Sequence, residues 1–455
     1  MADVEIASGL YKSRGHEIFW AKYRWEGIDE IFMMQQTKTI IIGAGPTGLS
    51  VAYHLNGDSI VLESTNQIGG LCRSFEIEGV IFDIGGHSYH STYNRINSFI
   101  SEDLGVEMYF QKRDARILFK DSIIPYPWQR FFHLVRDKKV VEDCYEGLRT
   151  RGCHDGQANL KNLLLARYGN GITKHFLFPY NEKLWMRDLE EISSNWASER
   201  IVDSGEGKVA GAQRLPLYEN SIVGYPSKGG FDEIFKKMAS KIRDIRFEKH
   251  VCHIDTDKKI LMTRRGDVFK WERIVSTIPI PDMFGMLKNS PYNFVRLASE
   301  LLYVSLQVDF FVTGEPLGCV PQRLYCADAE LPAHKIAFNS LSSENEASKN
   351  HHSIITETSI DDPSVSCCRE RTARILKGLY NTGIIKKQAS ILKHRYQIVK
   401  YAYPVQCHRH VQIKNLLTRY LELQGIYSIG RFGNWEYINS DQCLLRGEEI
   451  AQRLS

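Results

Sequence analysis

The first regular pattern along the chain is the short apolar run KTIII, which is rich in β-branched residues and is followed by a glycine-rich turn. After the turn, the apolar residues of LSVAYHL recur at helical spacing, and a second short apolar run, SIVLE, comes next. The pattern from Lys38 to Glu63 therefore predicts a strand, a tight turn, a helix and a second strand of an α/β fold.

The middle of the chain has a different pattern. Residues 96–200 are predicted to be mainly helical, because LKNLL and ARYGNGITKHFLFPYNEKLW have helical spacing and prolines precede the first turn of PYPWQRFFHLVRD. From Phe247 onward, FEKHVCHID, KILMTRR and VFKWERIVSTIPI predict short strands, as in a sheet inserted beside the first unit. Further predictions are strands within 301–360 and over 396–404, a helix from Arg369 to Tyr380, and an exposed loop over 342–352.

The N-terminal stretch is irregular. Residues 1–36 show no clean period and are predicted to be an extension ahead of the fold. An appended helix is one interpretation of this stretch, and Met33 or Met34 offers an alternative start.

The C-terminal stretch is regular. GIYSIGRFGNWEY predicts a strand that runs into Gly430 and Arg431. The last segment, SDQCLLRGEEIAQRL, has apolar positions on one helical face, and Ser440 or Asp441 is predicted to cap this helix.

The glycines of GAGPTG, which are Gly43, Gly45 and Gly48, stand between the first strand and the first helix. They allow a sharp turn and a close approach of backbone to a pyrophosphate, and the helix N-terminus presents free N–H groups to it. Glu63 follows the first glycine by about 20 residues, the separation at which an acid hydrogen-bonds the adenosine ribose. Because an acid at this position disfavours a 2′-phosphate, the motif predicts FAD or NAD rather than NADP.

Two glycine pairs beyond this motif favour FAD over NAD. Gly69 and Gly70 lie in IGGLCRSF, and Gly85 and Gly86 precede His87 in FDIGGHSYHS. A tight turn is the simplest interpretation of such a pair. The alternative is that the flat isoalloxazine ring lies against this backbone, while the C-terminal helix directs its positive end at the pyrimidine edge of the flavin. We therefore predict FAD, with the second glycine pair and the histidine against the ring.

Composition narrows the function classes. With 455 residues, 43% of them hydrophobic and 25% charged, the chain is typical of a globular protein of two or three domains. A net charge of +4 is too small to predict nucleic-acid binding, and no apolar run approaches the roughly 20 residues that span a membrane. The ten cysteines include no C-x-x-C pair, and His408 and His410 have no further ligands that can be placed, so no metal site or disulfide framework is predicted. A reducing, cytoplasmic setting is the expectation.

Several short segments occur in the same order as in the UDP-galactopyranose mutases, and the chain most resembles the eukaryotic-type branch of that family. Beyond the glycine motif, these segments are IGGLCRSF, FDIGGH, PYPWQ, PYNEKLW, NWASER, YPSKGGFDEI, VSTIPI, YAYP and GRFGNWEY. The resemblance extends from residue 38 to residue 446. The glycine motif and IGG are shared with the wider superfamily of amine oxidases and protoporphyrinogen oxidases, whereas PYNEKLW, NWASER and GRFGNWEY are more specific.

The resemblance implies an α/β fold in which a Rossmann-like FAD-binding domain carries an inserted helical region and a substrate domain with a mixed or antiparallel sheet. The expected domains are an N-terminal extension over 1–36, a discontinuous FAD-binding domain over 37–95, 226–282 and 424–455, a mainly helical substrate region over 96–225, and a sheet-containing substrate domain over 283–423.

In enzymes of this family, N5 of the reduced flavin attacks the anomeric carbon of the sugar, UDP leaves, and the ring opens and recloses without net oxidation. The resemblance therefore implies a mutase that interconverts the pyranose and furanose forms of a UDP-sugar through a flavin N5 adduct, with UDP-galactose as the first substrate to test. NAD(P)H or another reductant would reduce the flavin.

The resemblance also implies residue roles. For the cofactor these fall on Gly43, Gly45, Gly48, Glu63, Gly70, Gly85, Gly86, His87, Val251, Gly430, Arg431, Asp441 and Gln442. For the substrate they fall on Tyr126, Gln129, Asn181, Trp185, Arg200, Asn220, Tyr325, Tyr403 and Tyr437. Arg200 would clamp the diphosphate, and the backbone at Gly86 and His87 would accept the N5 proton. The open alternatives are core aromatics for Trp185 and Tyr437 and a solvated surface charge for Arg200.

The chain departs from the family at three places. A second diphosphate arginine is expected in 306–312, which contains none, and Arg323 is a candidate substitute. Asp441 stands where the family has a polar amide, and His90 stands where it has an aromatic residue. These departures leave two alternatives open, an FAD-dependent oxidase or dehydrogenase of the wider superfamily and a non-catalytic flavoprotein.

Overall fold

The computed structural model describes residues 6–13, 16–23, 35–57, 59–120, 122–152, 159–197, 201, 222–314, 317, 320–343, 351–386 and 391–455. Before residue 37 the description is confined to the backbone.

The strands, in chain order, are β1 (Ile6–Ser13), β2 (His16–Tyr23), β3 (Gln35–Ile42), β4 (Ser59–Leu62), β5 (Ser74–Ile77), β6 (Val80–Asp83), β7 (Met108–Lys112), β8 (Ala115–Phe119), β9 (Ser122–Pro125), β10 (Ile222–Pro226), β11 (Ile245–Arg246), β12 (Val251–Asp255), β13 (Ile260–Thr263), β14 (Val268–Ser276), β15 (Tyr303–Thr313), β16 (Arg323–Cys326), β17 (Lys335–Ala337), β18 (His352–Ile360), β19 (Ile391–Pro404) and β20 (Ile426–Ser428).

The α-helices are α1 (Pro46–His54), α2 (Asn94–Ser98), α3 (Trp128–Phe131), α4 (Lys138–Thr150), α5 (Leu160–Ile172), α6 (Phe178–Trp185), α7 (Glu233–Ala239), α8 (Ile280–Met286), α9 (Tyr292–Ser299), α10 (Val365–Asn381), α11 (His410–Leu423), α12 (Gly430–Gly433) and α13 (Ser440–Leu454). Single turns of 3₁₀ or π helix occur at Gly70–Cys72, Phe99–Asp103, Phe132–Leu134, Thr173–Leu177 and Asn339–Leu341.

The first large sheet has the strand order β11-β4-β3-β14-β13-β12, and β20 also pairs with β14. Strands β11, β4, β3, β14 and β20 run parallel, as in a nucleotide-binding α/β sheet, whereas β13 pairs antiparallel with β14 and with β12. The strands predicted after Phe247 are therefore present, but the expectation of a separate inserted sheet is wrong. The long strand β14 pairs with both β3 and β13, so β12 and β13 are part of the nucleotide-binding sheet.

The second large sheet has the order β19-β15-β18-β17-β16-β8-β9 and is antiparallel except for the parallel pair β16 and β8. This matches the mixed sheet expected for the substrate domain. Helix α10 includes the whole run from Arg369 to Tyr380 that was predicted helical.

The helical prediction for 96–200 is wrong over residues 108–125. There the chain forms β7, β8 and β9, and β8 pairs with β16, which lies far along the sequence. Helices α3 to α6 follow as predicted.

The N-terminal stretch is an antiparallel hairpin of β1 and β2, in which Ile6 lies opposite Tyr23. The interpretation of this stretch as an appended helix is therefore wrong for its described residues.

Separate apolar cores cover the faces of the two sheets. Helices α1, α7 and α13 pack on one face of the first sheet around Ile41, Phe235 and Leu444, and α8 and α11 pack on its other face around Ile40 and Phe284. One face of the second sheet packs against α3 to α6 around Trp128 and Phe310. The glycine pair of FDIGGH follows β6 and contacts β17 and β18 of the second sheet, which positions the candidate site.

Candidate active site

The glycine motif forms the turn between β3 and α1. Gly43 has φ +101°, and a Cβ at this position would lie 2.5 Å from Oγ1 of Thr277, so glycine is needed for both conformation and space. A Cβ at Gly48 would overlap the carbonyl oxygen of Gly43, and a Cβ added to Gly70 would lie 3.2 Å from Cα of Gly45. Because Gly45 at the N-cap has no side chain, the first N–H groups of α1 can face an anion.

Glu63 follows β4 and is buried. Its Oε2 accepts a hydrogen bond from the N–H of Ala44 at 2.9 Å, and its Oε1 accepts one from the N–H of Thr65 at 2.9 Å. The carboxylate therefore holds the glycine loop to the end of β4, at the place where the motif predicts the ribose. Val251, another predicted cofactor residue, begins β12 and is buried in the core. The N–H of Lys249, two residues earlier, donates to the carbonyl of Glu63 at 2.8 Å.

The second glycine pair lies against the substrate sheet. Gly85 has φ +93°, and a Cβ on it would lie 3.0 Å from Oε1 of Glu357. A Cβ on Gly86 would lie 2.6 Å from Cβ of Ala337. Packing against β17 and β18 therefore requires glycine at both positions, whether or not a flavin ring lies here.

Glu357 is the centre of this contact and is only 3% exposed. Its carboxylate accepts hydrogen bonds from the N–H of Gly86 at 2.8 Å, from Nζ of Lys335 at 2.8 Å and from the hydroxyl of Tyr403 at 2.9 Å. Burial raises the pKa of this carboxyl, but the Lys335 charge, His334 and the hydrogen bonds outweigh burial and lower the pKa to about 2. Glu357 is therefore a charged carboxylate that joins the glycine backbone to a predicted substrate residue.

His87 stacks on Phe231 with ring centroids 5.1 Å apart and an interplanar angle of 14°. Burial, followed by the nearby Lys335 charge, lowers the pKa of His87 to about 3, so the imidazole is neutral at ordinary pH. Its carbonyl accepts a hydrogen bond from Arg323, and the carbonyl of Gly86 accepts one from Lys335 at 3.1 Å. Two cations thus hold the two carbonyls that were predicted to face the flavin.

The N-terminus of α13 differs in detail from the prediction. Its N-cap is Asn439, not Ser440 or Asp441, and Asn439 forms a capping box with Gln442. Gln442, a predicted cofactor residue, accepts through its side-chain oxygen from the N–H of Asn439 at 3.0 Å. Asp441 is buried, and its Oδ1 accepts no hydrogen bond from the described residues.

Arg431 joins the end of β20 to the substrate sheet. It follows Gly430, which has φ +82° and lies against Thr47 of α1. Its guanidinium donates to the carbonyl oxygens of Ile438 at 3.1 Å and Ala402 at 3.0 Å. The same group lies 5.3 Å from the ring centroid of Tyr403 and 5.0 Å from that of Tyr437.

Predicted substrate residues come together beside Arg431. Trp185 lies 5.9 Å from Tyr437 and 6.3 Å from Tyr403, measured between ring centroids, and the two tyrosines are 5.7 Å apart. Asn181 is buried, donates to the carbonyl of Leu177 at 2.8 Å and accepts from Nε1 of Trp185 at 3.2 Å. Trp185 itself is 2% exposed and packs in the apolar core of the second sheet.

A second aromatic group extends the cluster. Tyr126 and Tyr325 are 5.5 Å apart, and Tyr180 lies 6.1 Å from Tyr325. Burial raises the pKa of Tyr180 well above its ordinary value, and the neighbouring Tyr325, Tyr437 and Tyr126 raise it further. Gln129, in the same PYPWQ segment as Tyr126, is buried in α3.

Two predicted substrate residues, Arg200 and Asn220, lie outside the described residues. Arg323, the candidate substitute for a second diphosphate arginine, is buried and donates to the hydroxyl of Ser88 at 2.9 Å as well as to the carbonyl of His87.

The sequence analysis missed several residues of this region. Tyr180 lies inside the segment PYNEKLW, so this segment could have indicated Tyr180 as a further site residue. Trp196, 5.1 Å from Trp185, likewise stands inside NWASER. Glu357 and Lys335 lie in short alternating strands, and nothing in their local sequence distinguishes them from ordinary strand residues.

The residues present fit a flavin. Within the described part of the chain, buried polar atoms without a hydrogen-bond partner include Nδ1 of His87, Nε of Arg431 and Oδ1 of Asp441. All three atoms belong to residues that were predicted to contact the cofactor. A polar ring bound beside these residues would supply the missing partners.

The described residues include no group of three or more His, Cys, Asp or Glu side chains arranged to hold a metal ion. Among them, no helix has the length and apolar character required to cross a bilayer.

Comparison with known proteins begins with the family. Residues 46–454 match the sequence profile of the flavin containing amine oxidoreductases. Coproporphyrinogen III oxidase from Staphylococcus aureus is 26% identical over 179 residues, which are 34% of this chain and 38% of that protein. UDP-galactopyranose mutase from Mycoplasma genitalium is 20% identical over 219 residues, which are 46% of this chain and 52% of that protein. The alignments thus span about half the length of these curated relatives or less.

A solved structure of a reduced UDP-galactopyranose mutase superposes with a TM-score of 0.84 at 22% identity and covers 92% of this chain and 93% of that chain. At this level of identity the similarity shows the fold, and it confirms the fold class expected from the sequence. The chain belongs to the flavin containing amine oxidoreductase family, and its cofactor is FAD, as the glycine motif, Glu63, the two later glycine pairs and the C-terminal helix together predict.

Proposed function

We propose that the protein is a flavin-dependent nucleotide-sugar mutase that interconverts the pyranose and furanose forms of a UDP-sugar, with UDP-galactose as the first substrate to test. The observation that carries the proposal is the cluster of Asn181, Trp185, Tyr403 and Tyr437, which Glu357 links to the backbone at Gly86. The similarity in fold to a UDP-galactopyranose mutase and the motifs PYNEKLW and GRFGNWEY support it.

The aromatic cluster offers the surfaces that a nucleotide sugar needs. The faces of Tyr126, Tyr180 and Tyr325 suit the stacking of a flat base, and the tyrosine hydroxyls suit hydrogen bonds to sugar hydroxyls. Asn181 is fixed by its contacts with Leu177 and Trp185, so its amide is already oriented. Pre-oriented groups lower the entropy cost of holding a sugar in one reactive position.

Glu357 links the proposed cofactor and substrate sides of the site. Its carboxylate accepts hydrogen bonds from both the N–H of Gly86, proposed to lie against the flavin, and the hydroxyl of Tyr403 in the aromatic cluster. When bound and reduced, FAD supplies the nucleophile that the sugar rearrangement requires. The chain itself holds the carbonyls of Gly86 and His87 in place through Lys335 and Arg323. His87 acts through its main chain, because its buried imidazole is neutral and stacked on Phe231.

Arg200 is proposed to clamp the diphosphate, since its guanidinium can fork onto two phosphate oxygens. NAD(P)H or another reductant is proposed to reduce the flavin. A reducing, cytoplasmic location fits the cysteines, which are free at each described position. A role in making cell-surface polysaccharide would follow from the proposed product.

The test of the site is a titration of the FAD-loaded protein with UDP, followed through the flavin absorption band. We expect saturable binding at micromolar concentration with a change in the band, because the cluster lies next to the ring. Absence of binding at millimolar UDP, with FAD fully bound, would contradict the proposal.

An FAD-dependent oxidase or dehydrogenase is the second candidate. It is favoured by β15, which has no arginine over 306–312, and by Arg323, whose guanidinium is turned to His87 and Ser88. Such an enzyme reduces its own flavin when it receives substrate, whereas the mutase requires prior reduction and consumes no donor. Anaerobic spectra with a panel of amines and other hydride donors separate the two, since bleaching of the flavin by a donor favours the oxidase.

A further inference from the structure

The hairpin of β16 and β17 connects the two sides of the candidate site. Tyr325, the third residue of β16, lies 5.5 Å from Tyr126 between ring centroids, in the aromatic cluster. Lys335, the first residue of β17, donates to the carbonyl of Gly86 at 3.1 Å. The turn over 327–334 joins these two strands, so its conformation affects a residue on each side of the site.

Carbonyl groups of this hairpin converge on one side chain from another element. Nζ of Lys183, on α6, donates to three backbone carbonyl oxygens. The distances are 3.2 Å to Cys326, 2.7 Å to Asp328 and 2.5 Å to Leu331. An ammonium has three N–H donors, so the three carbonyls match its capacity. Burial lowers the pKa of Lys183 to about 8, so the side chain is mainly charged at pH 7.

The sequence of α6 directs Lys183 at the hairpin. Tyr180 and Lys183 are three residues apart and lie on one side of the helix, and the ring of Tyr180 is 6.1 Å from that of Tyr325. Asn181 and Trp185 are four residues apart and bond to each other, with Nε1 of Trp185 donating at 3.2 Å. Helix α6 therefore carries predicted substrate residues and also holds the hairpin.

The turn itself has no regular secondary structure between residues 327 and 334. At its base, the N–H of Cys326 donates to the carbonyl of His334 at 3.0 Å. At its exposed tip, NH2 of Arg374 on α10 donates to the carbonyl of Ala329 at 3.2 Å. Its conformation thus depends on contacts from other elements, and those of Lys183 extend from the end of β16 to Leu331.

We propose that Lys183 is a positioning residue of the candidate site. Its ammonium fixes the turn over 327–334, and this turn fixes Tyr325 on the ligand side and Lys335 against the carbonyl of Gly86. The part of the inference that concerns the ligand rests on the proposed function, whereas the part that concerns the turn does not.

The experiment removes the ammonium and supplies it again from solution. The part of the side chain that Lys183→Ala lacks corresponds to propylammonium, and Lys183 is partly exposed, so this ion can reach the three carbonyls. Hydrogen exchange of the FAD-loaded protein is measured at pH 7 over 326–335, with β3 as a distant reference. We expect exchange over 326–335 to be at least about tenfold faster in the variant, with β3 unchanged. Propylammonium should slow it again, but tetramethylammonium, which has no N–H donor, should not.

Affinity for UDP is the second readout. We expect Lys183→Ala to weaken UDP binding at least about fivefold with FAD still bound, because Tyr325 is no longer held, and propylammonium to restore the affinity. Lys161→Ala is the matched control. It removes a lysine of α5 whose Nζ pairs with the exposed Glu190 at 2.7 Å, and it should match the wild type in both measurements.

The outcomes separate this inference from the proposed function. Wild-type exchange over 326–335 in Lys183→Ala, an equal increase in β3, or recovery with tetramethylammonium would each overturn the role of the ammonium in the turn. Faster exchange with unchanged UDP affinity would overturn its role toward the ligand while the mutase proposal stands. If the wild type binds no UDP, the proposed function fails together with the ligand part, and exchange alone decides whether Lys183 orders the turn.

A second variant covers the case in which Lys183→Ala does not fold. Lys183→Met keeps an unbranched side chain of similar length and removes the ammonium. It should show the faster exchange over 326–335 but no recovery with propylammonium, because its own side chain fills the space. Exchange at the wild-type rate in Lys183→Met would overturn the inference.

Discussion

Replacing Glu357 with glutamine tests the contact that joins the two halves of the site. The substitution keeps the shape of the side chain but removes the charge that pairs with Lys335. It also weakens the acceptor for the N–H of Gly86 and the hydroxyl of Tyr403. Because the residue is 3% exposed, water cannot replace these partners.

The magnitude follows from the pKa of the carboxyl. The folded protein lowers this pKa from 4.5 to about 2, and each unit corresponds to roughly 1.4 kcal/mol. The charged carboxylate therefore contributes about 3 kcal/mol to stability, which agrees with the roughly 3–5 kcal/mol lost when one partner of a buried ion pair is removed. Because the folded pKa lies below the unfolded one, this contribution is complete above pH 4.5 and is lost as the pH falls to about 2.

Urea unfolding at pH 7 and at pH 3 measures the effect. We expect the free energy of unfolding of Glu357→Gln to be about 3 kcal/mol below that of the wild type at pH 7. The difference should be smaller at pH 3, where the wild type has already lost part of the same contribution. Glu330→Gln, at an exposed position, is the control and should match the wild type. The double variant with Lys335→Met should recover part of the loss, because the unpaired cation is gone. A Glu357→Gln protein as stable as the wild type at pH 7 would refute the reasoning.

Three further predictions concern the glycine turn, the cap of α13 and the diphosphate of the substrate. Gly48→Ala should lose most of its FAD, measured by the ratio of flavin to protein absorbance, because the new Cβ overlaps the carbonyl of Gly43. Gly285→Ala in α8 is the control, because a Cβ there would meet no other atom, and it should keep FAD and gain about 0.5–1 kcal/mol in stability. Equal FAD content in the two variants would contradict the steric argument. Asn439→Ala should cost about 1 kcal/mol in urea unfolding through loss of the capping box, and an unchanged stability would contradict the assignment of the cap. Arg200→Ala should weaken UDP binding at least tenfold, which is ~1.4 kcal/mol of binding free energy, and should leave FAD content unchanged. Turnover should fall by a larger factor than UDP affinity. A variant that binds UDP as tightly as the wild type would contradict the proposed role of Arg200.

The nucleotide end of the molecule was predictable because its requirements are local. The conformation of Gly43 and the contact at Gly48 are both set within a single turn between a strand and a helix. The exact cap of α13 was not predictable, because Asn439, Ser440 and Asp441 are adjacent and all three residue types cap helices well.

The sheets were less predictable because strand partners are remote. Residues 115–119 form β8 by pairing with β16, although the surrounding sequence favours helix. The strands β12 and β13 join the first sheet through β14, which the spacing of apolar residues does not reveal. Pairing with remote strands therefore determines the secondary structure and the sheet of segments whose local sequence pattern is ambiguous.

The candidate site shows the same division. The motifs supplied Asn181, Trp185, Tyr403 and Tyr437, and these residues lie together in the structure. Glu357 was missed, because its partner Gly86 is 271 residues away and its own strand reads as an ordinary alternating segment. A buried charge is recognisable only when its partners are seen.

Turnover of UDP-galactopyranose by the reduced protein tests the central proposal most directly. The protein, reduced with dithionite under anaerobic conditions, is incubated with the pyranose, and the products are separated by chromatography. The account predicts formation of the furanose over many turnovers, with the flavin still reduced at the end and no activity in the oxidised protein. Absence of furanose from UDP-galactopyranose and of ring interconversion in a panel of related nucleotide sugars, with FAD bound and reduced, would contradict it.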